Sequence, residues 1–232
     1  MSKTVLFATA AALALTAGGI ASAAGSHPVA SSAGSHAKAH PFISASPSLV
    51  TLYDQNGNDG GTGVSSQNFE TTYDAYDDQG ADDFTVPAGH TWNIKEVDVT
   101  GVYYNGSGPA RSENVFFYKD KGGLPGRLKA ECDGVVGKDN GTGSFVIKFK
   151  DTCTVKLKEG TYWVSVQANM DFGVGGQWGW EVNSVQNQNL SAWQNYGPGN
   201  GFAVCPTWGT TEACIGFGPD FMFALKGKDN AG

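Results

Sequence analysis

The stretch 159–183, EGTYWVSVQANMDFGVGGQWGWEVN, constrains the fold more than any other part of the chain. Tyr162, Val164, Val166 and Ala168 alternate with Trp163, Ser165, Gln167 and Asn169. Side chains of a strand point to opposite faces in turn, so this alternation reads as a half-buried β-strand. After a glycine-rich loop, Trp178, Trp180 and Val182 alternate with Gly179, Glu181 and Asn183, which reads as a second, adjacent strand. The apolar phases, with Trp178 and Trp180, belong to a core. Trp163, Gln167 and Glu181 fall on the opposite phases, where a ligand reaches them only if that face is open.

The same signal recurs along the chain. LVTLYDQ, DDFTV, NVFFYKD, SFVIKFK, TCTVKLK and FMFALKG all read as strands, and NVFFYKD is apolar on both faces, as expected near the centre of a sheet. Pro-Ala-Gly at 87–89 and the GGLPG run at 122–126 read as turns. Between Trp92 and Gly101 the apolar phase shifts at Lys95-Glu96, which predicts a bulge or a bend. About nine or ten short strands with Gly/Pro turns predict an all-β, antiparallel β-sandwich, jelly-roll-like in type.

The first 24 residues have a different character. Lys3 precedes an apolar run from Val5 to Ile20, followed by Ala21, Ser22 and Ala23. That is the layout of a secretory signal peptide cleaved after Ala23 or Ala24. Residues 25–48 are rich in Ser, Ala, Gly, His and Pro without apolar periodicity and read as a flexible linker. The β-sandwich is expected over 49–227, with 228–232 as a disordered tail. Export implies a secreted protein, extracellular or periplasmic, with no membrane insertion after signal cleavage. The net charge of -7 opposes a phosphate backbone, so nucleic acid is excluded as the expected partner.

Cys132, Cys153, Cys205 and Cys214 fit an oxidising compartment. Four cysteines allow three pairings, and the local pairs Cys132–Cys153 and Cys205–Cys214 are favoured. Zinc is disfavoured, because no C-x-x-C pair or neighbouring histidine is present. Asp54, Asn56 and Asn58 begin like a calcium loop, but Asp59 and Ser65 break the EF-hand pattern. Asp77, Asp78, Asp82 and Asp83 are the candidate ligands of a structural calcium ion, set against a solvated acidic loop.

The phrases ADDFTVPAGHTWNIKEVDVTG, NVFFYKDKGGLPG, GTYWVSVQA with QWGWEV, and PDFMFALKG span most of 49–227. They resemble a poorly characterised family of bacterial secreted jelly-roll-like β-sandwich proteins. The resemblance implies that fold and export, and it brings no catalytic residues with it.

Catalysis has little to build on. Beyond the linker the sole histidine is His90, and neither a G-x-S-x-G elbow nor an H-E-x-x-H motif occurs. Glu96 and Asp98 share a strand face, but the E-x-D-x-x-E spacing of some sandwich glycanases is missing. Gln167 and Glu181 are the residues a glutamic-type peptidase would use. Sugar binding asks for less: aromatic faces to stack on pyranose rings, and amides or carboxylates for the hydroxyls. Trp163, Gln167, Glu181, Trp193, Tyr196 and Trp208 are the candidate ligand-binding residues. The expected function is a non-catalytic module binding a polysaccharide, a cell-surface glycan or another extracellular surface component. The alternatives are a structural or adhesive protein and a β-sandwich hydrolase.

Overall fold

The computed structural model describes residues 48–231. The expected leader, and the linker up to residue 47 with His27, His36 and His40, lie outside the described residues. Among the described residues, fifteen strands form two sheets. They are β1 (Val50–Asp54), β2 (Asp59–Ser65), β3 (Gln67–Asn68), β4 (Asp78–Val99), β5 (Gly101–Tyr104), β6 (Ser112–Asp120), β7 (Pro125–Val135) and β8 (Lys138–Asp139). There follow β9 (Phe145–Lys148), β10 (Val155–Asn169), β11 (Gln177–Asn183), β12 (Ala192–Asn195), β13 (Gly209–Thr210), β14 (Asp220–Phe221) and β15 (Phe223–Ala231). A 3-10 helix covers Thr71–Tyr76, and two short helices, α1 (Phe172–Gly175) and α2 (Thr211–Ile215), interrupt the loops. The count exceeds nine or ten because several strands are two-residue pairings in segments without readable periodicity.

The larger sheet runs β1-β15-β4-β10-β6-β7 and is completed by β3, β8, β9, β12 and β13. The smaller holds β14, β11, β2 and β5. Pairing is antiparallel except between β3 and β10. Strand β4 is the organiser. One side is filled by β10 and then β9, the other by β12 and then β15. The expected turn at Pro87–Gly89 is instead a bulge inside β4. Val86 pairs with Gly160 and Thr91 with Lys158, so the intervening residues bow out opposite Glu159. Proline has no N–H to give the ladder, and Gly89 takes a positive φ of 75° without steric cost. The Glu159 carboxylate then accepts the Gly89 N–H at 2.7 Å. At Lys95-Glu96 the expected irregularity is present: Lys226 pairs with Glu96 and Gly227 with Ile94.

The core lies where alternation places it. Tyr162, Val164, Val166 and Ala168 of β10 join Trp178, Trp180 and Val182 of β11 in one buried cluster. Trp180 stacks on Phe221 with ring centres 4.9 Å apart. However, β10 and β11 are not adjacent strands; they belong to opposite sheets, and the turn containing α1 crosses between them. The cysteines pair as Cys132–Cys153 and Cys205–Cys214. The expected tail at 228–232 is corrected as far as Ala231. Its backbone continues β15, pairing Lys228 with Asn93 and Ala231 with His90, while Asp229 bonds the His90 ring. Among the described residues, no helix is long and apolar enough to cross a membrane.

Candidate ligand-binding cleft

Between the 3-10 helix, α1 and the loop after β12 opens a cleft of about 190 Å³, lined by Phe69, Tyr73, Tyr76, Phe172, Gln177 and Phe202. Tyr73, Tyr76 and Phe202 keep 37, 38 and 39% of their surface exposed, in contrast to the buried rings of the core. The rings contact one another in series. Phe172 meets Tyr73 at 5.6 Å and 67°, Tyr73 meets Tyr76 at 6.2 Å and 58°, and Tyr76 meets Phe202 at 5.1 Å and 79°. The Gln177 amide, whose oxygen accepts from Asn105 at 2.7 Å, adds a polar group to the lining.

Two buried amides fix the walls. Gln67 donates to the carbonyls of Met170 and Gly176 and accepts the Trp178 N–H at 2.8 Å, so it holds both ends of the turn that carries Phe172. Asn195 donates to the carbonyls of Ala75 and Asp77 and accepts the Phe202 N–H at 2.9 Å, tying the 3-10 helix to the opposite wall. Gly197 lets that loop approach, because a Cβ there would lie 2.0 Å from the Asp74 carbonyl oxygen. The Cys205–Cys214 bridge closes the loop from behind, and the Cys205 carbonyl accepts the Asn195 N–H at 2.8 Å.

The floor is held by carboxylates. Asp78 accepts the Gln67 N–H and Asp77 the Phe69 N–H, each at 2.7 Å. They replace a ladder partner along that edge of β3, whose other edge is bonded to β10. Burial pushes Asp77 up to about 6 and Asp78 well above the usual carboxylate range. At the rim, Glu70 accepts the N–H groups of Phe172 and Gly173, and Arg111 pairs with Asp171 at 2.9 Å.

The other acids of the candidate calcium set lie elsewhere on β4. Asp82 accepts Gln55 Nε2 at 2.8 Å and the Phe221 N–H at 2.6 Å, while Asp83 is held by Asn189. Asp220 joins them and accepts the Asn187 N–H. These three carboxyls are buried and, among the described residues, make no ion pair with lysine or arginine. Burial first, and the neighbouring Asp220 second, holds Asp82 well above its ordinary range. Desolvation is also the main cause that lifts Asp83 to about 6 and Asp220 to about 7. Asp82 and Asp83 thus spend both oxygens on protein donors, whereas Asp77 and Asp78 each spend one, and the second oxygen of Asp78 is buried without a hydrogen-bond partner. Among the described residues, no three His, Cys, Asp or Glu side chains are grouped as a metal site.

Of the six candidate ligand-binding residues, three are buried. Trp163 packs with Ala81 and Ala192 on the outer face of the larger sheet, its indole N–H bonded to Asp120 at 2.9 Å. The loop carrying Trp208 covers that face, and Trp208, half-buried, meets Tyr118 edge-on at 5.6 Å. Trp193 donates to the Ser65 carbonyl and backs Phe202 from inside. Trp163 and Trp193 offer no free stacking face, which corrects the expectation for these two. Gln167 is also buried; its amide donates to the Asp78 carbonyl and to the Tyr196 hydroxyl. Tyr196 remains 43% exposed. Glu181 is half-buried in the other sheet from Gln167, so the two are not neighbours on adjacent strands as a glutamic-type pair would need. Lys226 bridges Glu96 and Asp98.

The cleft itself was missed in the sequence. Tyr73, Tyr76, Phe172 and Phe202 sit in segments without a period, and their one signal is large aromatics inside polar stretches, glycine-rich around Phe172 and Phe202. Compared with protein-family models, with curated proteins and with solved structures, the chain matches none.

Proposed function

We propose that this chain is a secreted, non-catalytic binding module for an extracellular surface component, a glycan or another exposed polymer, and that the aromatic cleft is its binding site. The jelly-roll-like connection of the sandwich and export by the 1–24 leader belong to the same reading. One observation carries it: five aromatic rings line an open cleft, three of them more than a third exposed, whereas Trp178 and Trp180 between the sheets are sealed from water. An exposed aromatic concavity held by buried hydrogen bonds is a common form of binding site. The volume lies below the roughly 300–1,000 Å³ of a pocket enclosing a whole small molecule. The cleft therefore suits one group presented by a larger ligand.

Capture on insoluble polysaccharides and on bacterial cell surfaces tests the proposal. Tyr76→Ala and Phe202→Ala should each release the protein while leaving its melting temperature within a few degrees of the parent. Capture that both variants retain would reject the cleft as the site. The structural or adhesive reading rests on the same exposed rings. It would replace this one if the parent self-associated with concentration and both variants stayed monomeric.

A further inference from the structure

We infer that the cleft takes a quaternary or fully methylated ammonium group, carried by the surface component and enclosed between the faces of its rings. The inference rests on the cleft being the binding site. It follows from shape, charge and hydrogen-bonding capacity together.

Shape separates it from a sugar platform. A pyranose lies flat on an aromatic face, and a run of sugars needs faces that look the same way. Here each ring is turned by 58–79° from the next, so the rings form walls. A rounded group touches several such walls at once, whereas a flat ring stacks on one. The volume of about 190 Å³ suits a headgroup.

Charge selects a cation. The segments that build the cleft, 67–78, 170–178 and 196–205, contain no lysine or arginine and carry Glu70, Asp74 and Asp77, besides Asp78, whose burial favours its uncharged form, and Asp171, which is ion-paired. The nearby cation, Arg111, is paired with Asp171. Aromatic faces are electron-rich and attract a cation placed over them, most strongly where water is excluded. An acidic surround adds to that field and disfavours anionic polymers.

Hydrogen-bonding capacity selects the methylated form. A primary ammonium carries three N–H donors that must be satisfied when it leaves water. The lining offers the hydroxyls of Tyr73 and Tyr76 and a Gln177 oxygen already engaged by Asn105. A group with no N–H asks for no acceptor.

The test compares choline with its uncharged carbon isostere, 3,3-dimethylbutan-1-ol, by titration of the exported protein followed by NMR. Choline should bind at least about tenfold more tightly than the isostere. Tyr76→Leu, which keeps apolar bulk and removes the ring, should abolish that preference, and Phe202→Leu serves as the second variant should the first fold poorly. Equal binding of the two probes would overturn the inference, leaving an apolar cleft. Binding of neither probe, with polymer capture still dependent on Tyr76, would overturn the inference and leave the proposed function standing. Binding of neither, with capture indifferent to Tyr76, would remove both.

Discussion

Two groups of aromatic rings do opposite work in this molecule. Trp178, Trp180, Phe221 and Phe223 come from strands, lie between the sheets and are sealed from water. Tyr73, Tyr76, Phe172 and Phe202 come from short helices and a loop, and they meet solvent. The residue types are similar; what differs is the backbone beneath them. A strand sends every second side chain inward, so a tryptophan on the apolar phase is committed to packing. The rings of the cleft are held open by polar side chains, Gln67, Asn195 and Asp77, that spend their hydrogen bonds on backbone groups.

That contrast breaks most readily at the core. Trp180→Ala should cost about 3–5 kcal/mol in denaturant unfolding, through lost burial and the cavity left beside Phe221. Tyr76→Leu should cost less than about 1 kcal/mol, because its ring is already partly hydrated. Similar losses at the two sites would mean that the cleft is a satellite of the core. Next in size is the Cys205–Cys214 bridge, which closes a short loop of sequence separation 9. Replacing both cysteines by serine should cost about 2–4 kcal/mol and weaken ligand capture, since Phe202 lies on the segment it secures. Capture at parental strength would show that Asn195 alone holds that wall.

A smaller effect concerns pH. Asp83 and Asp220 titrate higher in the folded chain than unfolded, mainly because burial disfavours their charge. Between about pH 4 and pH 7 the folded state then holds more protons than the unfolded, so their contribution is full at low pH and is lost as pH rises through that window. Asp220→Asn should raise the melting temperature at pH 8 and flatten its decline between pH 5 and pH 8. An unchanged slope would mean that Asp220 is not a buried acid in solution. The smallest effect is expected at Val174, which is exposed on α1 beside the cleft. Val174→Ser should alter stability by less than about 0.5 kcal/mol and leave ligand capture intact; a loss of capture would extend the binding surface past Phe172.

The same contrast explains what could be read from the sequence. The alternation in β10 and β11 and the shift at Lys95-Glu96 each name a face or an irregularity, and the structure has them there. Trp178, Trp180 and Trp92 are core for the reason their phase gives. Phase assigns a side chain to a face of its strand without saying what covers that face, so Trp163 was legible as off-core and is nevertheless buried under the loop that carries Trp208. Trp193 was misread for a related reason: a polar, irregular segment hid the pairing of β12 with β4. The cleft depends on long-range approach, such as Gly197 against Asp74 and Asn195 against Ala75, and no local period encodes it.

The position of β15 has a consequence in time. The last strand of the fold supplies the partner of the first, pairing Val50 with Gly227, and fills half of one side of β4. As the chain is synthesised from its N-terminus, β1 and the His90–Val99 half of β4 both wait for residues 223–231 before their ladders close. Contacts so distant in sequence are slow to form. The domain is therefore built to remain open while it is being made, and to shut only once its final strand has been delivered.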